Sequence, residues 1–176
     1  TLFRIFQDSR GYLWLGTEGS GACRFDGKSF KVFNREAGMA GNVVRDILED
    51  SAGRLWFATD AGVSVYDGNR FFTIDESRGL SSNTVVCLFE DSKHNVWVGT
   101  SGEKGGLNKT ILIPGDSVKT EKFTVENGLP DNNVFALCAD NYDRLWVGTF
   151  GGGIAVMTEE TAGQYEFQRL SGINSN

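Results

Sequence analysis

The chain has 176 residues, a formal net charge of −6, 23 glycines, two prolines and 12% aromatic residues. It lacks the basic surplus that a nucleic-acid partner requires, and no run of 18 apolar residues offers a membrane span. Neither partner is therefore expected for this segment. High Gly and aromatic content with little Pro suits many short strands joined by tight turns, on a chain long enough for a sizeable core.

In chain order, an apolar segment Phe3-Arg4-Ile5-Phe6 precedes Asp8, and Leu13-Trp14-Leu15-Gly16-Thr17 follows. Then come a glycine turn, Gly19-Ser20-Gly21, and a link running from Gly38-Met39 to Asn42. The same phrases return in the second unit. Val44 to Leu48 leads to Asp50, then to Leu55-Trp56-Phe57-Ala58-Thr59, Ala61-Gly62 and Gly79-Leu80 to Asn83. The third unit has Val85 to Phe89, Asp91, Val96-Trp97-Val98-Gly99-Thr100, Gly105-Gly106 and Gly128-Leu129 to Asn132. The fourth has Val134 to Cys138, Asp140, Leu145-Trp146-Val147-Gly148-Thr149, Gly151-Gly152-Gly153 and Gly172-Ile173 to Asn176. The only four tryptophans are spaced 42, 41 and 49 residues apart, each six residues after an Asp. A fixed period of this size marks a repeat architecture.

The second unit is the most regular. Val43 to Glu49 reads as strand A, Arg54 to Thr59 as B, Val63 to Tyr66 as C and Arg70 to Ile74 as D. Asp50-Ser51-Ala52-Gly53 and Asp67-Gly68-Asn69 supply the turns. Four short antiparallel strands per unit make a propeller blade. The expected fold is all-β: four blades, each a four-stranded antiparallel sheet, at approximately 1–42, 43–83, 84–132 and 133–176. Strand B is apolar on consecutive residues, which suits sheets covered on both faces. The extra length of the third unit, partly between Trp97 and Gly106 and otherwise between Leu107 and Phe123 around Thr110 to Asp116, reads as loop insertions on one blade.

No chemical motif survives inspection. His94, the only histidine, holds a turn position that is Gly11, Gly53 or Asp143 in the other units, which suits a left-handed turn residue. Gly27-Lys28-Ser29 lacks the first glycine of a phosphate-binding loop. The recurrent Asp8, Asp50, Asp91 and Asp140 come one per unit, too few for calcium, and read as turn caps. Asn108-Lys109-Thr110 fits the glycan-acceptor pattern. Cys23, Cys87 and Cys138 read as buried, reduced, unpaired thiols. The expected catalytic, metal and cofactor sets are all empty.

These units resemble the two-component regulator propeller repeat: an apolar strand, Asp, a Gly turn, Leu-Trp-Ile-Gly-Thr, then a Gly-Leu-x-x-Asn link. Val85 to Thr100 and Val134 to Thr149 match it closely. Departures are mild, such as Ala58 for Gly and Met39 and Ile173 for Leu. The resemblance implies a blade segment of a larger ring in a periplasmic or extracellular sensor of a two-component protein. It implies signal reception rather than catalysis, with kinase or cyclase chemistry elsewhere in a longer chain, and glycans among the ligands. Rival readings are a protein-interaction scaffold and a propeller enzyme similar to the streptogramin lyases, which would need a histidine base.

In propellers the B–C and D–A loops share one face. The B–C loops here differ in chemistry, so Glu18, Asp60, Glu103 and Phe150 are the candidate ligand residues for a small molecule or oligosaccharide, with Phe150 placed to stack on a sugar ring. The chain starts at Thr1 with no leader-like segment and reads as a processed or excised piece. It holds a whole number of repeats, and because the units resemble those of larger rings, four of them are expected to form an open arc, with a closed four-bladed monomer as the rival reading. Each end blade is expected to keep an apolar flank, covered by further blades or by a second copy in a homodimer that closes a ring.

Overall fold

The computed structural model describes residues 1–115, 117–161 and 163–170. The closing phrase Gly172 to Asn176 and the loop residue Asp116 lie outside these. The described residues form four four-stranded antiparallel sheets, each a simple meander. The first sheet comprises β1 (Leu2–Gln7), β2 (Leu13–Thr17), β3 (Ala22–Phe25) and β4 (Phe30–Phe33). The second comprises β5 (Val44–Glu49), β6 (Leu55–Thr59), β7 (Gly62–Tyr66) and β8 (Phe71–Ile74). The third comprises β9 (Val85–Glu90), β10 (Val96–Thr100), β11 (Leu107–Ile113) and β12 (Ser117–Phe123). The fourth comprises β13 (Val134–Ala139), β14 (Leu145–Thr149), β15 (Gly153–Thr161) and β16 (Gln164–Arg169). Successive sheets pack through their first strands, β1 on β5, β5 on β9 and β9 on β13. These are propeller blades set side by side as an arc of a larger ring.

The spacing of six between Asp and Trp now has a cause. Asp8, Asp50, Asp91 and Asp140 sit at the A–B turns. One oxygen of each accepts the indole N–H of Trp14, Trp56, Trp97 or Trp146, at 2.8, 2.8, 2.7 and 2.9 Å. The other oxygen accepts backbone N–H groups of the same turn, such as Arg10 and Tyr12 in the first blade. One carboxylate thus caps the turn and satisfies the only polar side-chain atom of the tryptophan. The left-handed turn residue after it is Gly11, Gly53, His94 (φ 63°) or Asp143 (φ 58°).

Trp14, Trp56 and Trp97 each fill the space between their own blade and the next. Trp14 packs with Phe33, Val44, Ile47 and Phe57, and Trp56 with Val85, Leu88 and Val98. Trp97 packs with Val134, Leu145 and Met157. These three are 1–2% exposed. Burying an aromatic of this size removes roughly 150–250 Å² from water, worth about 4–6 kcal/mol at ~25 cal/mol per Å². Trp146, in the fourth blade, is only half-buried among the described residues.

The links explain the Gly, apolar residue and Asn of the repeat. Each begins with a single 3-10 turn that ends on a left-handed glycine: Gly38, Gly79 or Gly128. The next residue, Met39, Leu80 or Leu129, is buried between blades. The side chains of Asn42, Asn83 and Asn132 accept the N–H that opens the turn, from Arg35, Glu76 and Val125, at 3.0, 2.8 and 2.9 Å.

Two expectations need correction. The extra length of the third unit is only partly loop: its B–C loop, 101–106, is longer than 60–61 of the second blade, as expected, but the rest is a longer C–D hairpin with seven residues in each of β11 and β12. Cys87 is buried, but Cys23 is half-buried and Cys138 exposed, although all three are free. Cys23 pairs with Leu15 and Val32 across the uncovered face of the first blade. Cys138 pairs with Trp146 on the uncovered face of the fourth. Both would be covered only by a further blade. Large apolar residues are exposed on the same end blades, among them Ile5, Leu13, Phe30 and Val32.

Candidate ligand face

The B–C loops and D–A links meet at one edge of the arc, and the bonds between them show why the loops are rigid. The threonine of each Trp-x-Gly-Thr or Trp-x-Ala-Thr phrase closes its own B–C loop. Thr17, Thr59, Thr100 and Thr149 donate their hydroxyls to Gly21, Gly62, Gly106 and Gly153 carbonyls at 2.8, 2.6, 3.0 and 2.8 Å. The following residue ties the loop to the incoming link. Glu18, Ser101 and Phe150 donate backbone N–H groups to Thr1, Thr84 and Asn133 carbonyls. In the second blade the Asp60 side chain does this instead, accepting the Val43 N–H at 3.2 Å.

Glu18, Asp60 and Phe150 thus occupy one equivalent position in three blades, where Ser101 stands in the remaining one. Glu18 is exposed, with its carboxylate 3.5 Å from the Thr1 amino group. The Thr1 hydroxyl, and then that amino group, hold its pKa below the ordinary value. Asp60 is tied to the link, and a side chain on Gly41 would collide with its carboxylate. Glu103 lies two residues beyond Ser101, exposed, in a loop anchored by Gly102 N–H donating to the Asn133 side chain at 2.8 Å. Phe150 is 71% exposed. Its ring lies 5.5 Å from that of Phe135, tilted by 33°.

Phe135 was not legible as a site residue. It occupies a bulge where β13 shifts register against β14 between Val134 and Ala136. The bulge leaves its ring 49% exposed beside Phe150. The same edge carries a depression of about 300 Å³ lined by Ser81, Lys104, Gly105, Lys122, Thr124 and Asn132, among others. It adjoins the Glu103 loop, but none of the four candidate residues lines it. The four stand one per blade along the edge.

The remaining motifs are structural. Gly27-Lys28-Ser29 is a hairpin turn whose N–H groups bond to Asp26. Asn108 is fully buried, bonded to Val98 O and Ser81 N, so the glycan-acceptor pattern is part of the core. His94 stands at an A–B turn, at the opposite end of its blade from the B–C loop, 3.5 Å from Glu90. Among the described residues no three His, Cys, Asp or Glu side chains cluster as metal ligands, and no helix is long and apolar enough to cross a membrane.

The profile of the two-component regulator propeller matches residues 2–19, 38–61, 79–102 and 128–151, just over half the chain. The chain belongs to the two-component regulator propeller family. Each matched segment after the first holds a link's glycine, the inner strand, the capping Asp and the Trp, which are the parts the blade geometry uses. Among solved structures, the chain is similar to two Bacteroides thetaiotaomicron proteins described as extracellular domains of hybrid two-component systems. BT4673 is 22% identical over 94% of this chain and 24% of its own, with a TM-score of 0.78. BT3049 is 23% identical over 96% and 23%, with a TM-score of 0.76. The chain therefore spans about a quarter of the length of these domains. Virginiamycin B lyase from Staphylococcus aureus is 15% identical over 98% of this chain and 57% of its own, with a TM-score of 0.70. At these identities the likeness is one of fold. Comparison with curated proteins gives no match.

Proposed function

We propose that this regulator-propeller segment receives a ligand outside the cytoplasm and catalyses nothing itself, and that oligosaccharides are its ligand class. The observation that carries the reading is the exposed Phe135–Phe150 pair on a loop edge whose backbone is otherwise fixed. An apolar ring pair held on a rigid strand and loop costs little to desolvate and offers a flat face to a sugar ring. Glu18, Asp60 and Glu103 on neighbouring loops supply acceptors for hydroxyl groups. The extracellular setting of the similar B. thetaiotaomicron domains supports a periplasmic or extracellular place. The lyase reading would need a histidine base, and His94, the only histidine, stands at an A–B turn away from the loop edge.

The two bare end faces are proposed to be covered by propeller blades, from a longer chain or from a second copy. Half-buried Trp146 and the exposed Ile5, Phe30 and Val32 support this. A calorimetric screen of oligosaccharides against the chain tests the ligand reading. Saturable heat from one sugar class is expected. Uniformly flat titrations, with capture of a protein partner instead, would favour the scaffold reading.

A further inference from the structure

At two of the three blade junctions the A–B turn of one blade is clamped to the next by a serine and a glutamate. Ser9 donates its backbone N–H and hydroxyl to the Glu49 carboxylate, both at 2.6 Å. Ser51 does the same to Glu90, at 2.9 Å from the N–H and 2.7 Å from the hydroxyl. Glu49 pairs with Leu55 and Glu90 with Val96, each at the end of the A strand.

At the third junction the donor remains and the acceptor is gone. Ser92 follows Asp91 as Ser9 follows Asp8. The position paired with Leu145 is Ala139. Among the described residues, nothing accepts from the Ser92 N–H or hydroxyl. The deleted side chain leaves room. A cavity of about 250 Å³ opens between the third and fourth blades, lined by both Ser92 and Ala139. Its counterpart at the first junction, beside Glu49, measures about 20 Å³. There Arg10, Tyr12, Arg24 and Tyr66 fill the space. Lys93, Asn95, Lys109 and Met157 stand in their places in the third. Lys93 is drawn aside to Glu159, and Lys109 to the Tyr165 hydroxyl.

We propose that this cleft is a second binding site, in which the carboxylate of a small aromatic monocarboxylic acid takes the place of the missing glutamate side chain on Ser92. The walls suit the rest of such a molecule: Phe89, Trp97, Leu145, Met157 and Tyr165 present an apolar slot. Of the charged groups lining the cleft, Lys93 is matched by Glu159 and Arg144 by Asp140, while Asp143 adds a carboxylate at the turn, so the ligand's carboxylate is held by the Ser92 donors and not by a cation. Asp91 does not bar an anion. Its oxygens accept from Lys93 N, Asn95 and Trp97, and Glu49 and Glu90 lie beside Asp8 and Asp50 in the same way. The site lies at the A–B turn edge, away from the B–C loops, and stands whether or not those loops bind sugar.

Titration of the whole chain with benzoate and with acetate, followed by amide NMR, tests it. Benzoate should shift the Ser92 amide saturably and bind at least about tenfold more tightly than acetate, because its ring enters the apolar slot. Ala139→Glu rebuilds the clamp from within the chain and should abolish benzoate binding while leaving the protein folded. Ser92→Ala keeps the N–H but loses the hydroxyl, and should weaken binding severalfold. An unmoved Ser92 amide in the native chain overturns the proposal. So does undiminished benzoate binding in Ala139→Glu.

Discussion

Replacing Asp50 by alanine removes the carboxylate that holds an A–B turn to its tryptophan. Asp50 is 5% exposed and Trp56 1%. The carboxylate accepts the Trp56 indole N–H at 2.8 Å, the Ala52 and Arg54 backbone N–H groups at 3.1 and 2.9 Å, and Arg54 Nε at 2.7 Å. A buried donor left without a partner costs about 1–3 kcal/mol, and the indole cannot turn to water without unpacking the blade junction. The turn N–H groups are part-buried and can be rehydrated, so together they add about 1 kcal/mol. The Arg54 pair opens onto solvent and adds little. The expected loss is about 3 kcal/mol. With an m-value of roughly 2–3 kcal/mol per molar, the urea midpoint falls by about 1 M. Asp67→Ala is the control. That aspartate also accepts two turn N–H groups, from Asn69 and Arg70, but has no indole partner, so its loss should be about 1 kcal/mol or less. Equal losses in the two variants would refute the idea that the Asp–Trp bond sets the repeat.

The remaining expectations are independent of one another. Burial raises the pKa of Asp46, outweighing the Leu88 N–H and Arg4 that face it. A carboxyl whose folded pKa is raised destabilises the fold when ionised, so Asp46→Asn should be the more stable form at pH 7. Its advantage should fade as pH falls through the raised pKa and the native side chain takes up its proton; an advantage constant with pH would contradict this. A thiol reagent should react quickly with Cys138, more slowly with Cys23 and with Cys87 only on unfolding, because burial and then Asp46 raise the Cys87 pKa; a total below three in the unfolded, unreduced chain would mean a disulfide. Gly99→Ala should cost about 1–3 kcal/mol in urea titration, since the new methyl would meet Cys87 Sγ and lie 2.8 Å from Val134 Cγ1. Light scattering should find the chain self-associated, as the bare end faces require; a monodisperse monomer at micromolar concentration would count against their stickiness.

The blade was legible because its fixed residues answer local needs. The Asp-to-Trp spacing, the left-handed turn position at His94 and Asp143, and the Asn that closes each link repeat with every unit, and each strand of the second blade lies within a residue of its expected bounds. What escaped depends on neighbours across a junction. Leu107 to Ile113 ends in Pro114-Gly115 and looks like a loop, yet it is half of an extended hairpin. The exposure of Cys138 follows from the bare face it lies on, which a strand pattern does not reveal. The Phe135 bulge needs the β13 register. The cleft beside Ser92 was written in the column Gln7, Glu49, Glu90 and Ala139, but the column has meaning only once Ser9 and Ser51 are seen to bond the two glutamates.

The central claim is that the loop edge receives the ligand. The most direct measurement is amide NMR mapping of the sugar that gives heat in the calorimetric screen, on the native chain and on Phe150→Ala combined with Glu103→Gln. The account predicts shifts at Glu18, Asp60, Glu103, Phe135 and Phe150, and at least about a tenfold loss of affinity in the double variant, as removal of a stacking face and an acceptor implies. Shifts confined to the A–B turns, with affinity unchanged in that variant, would contradict it.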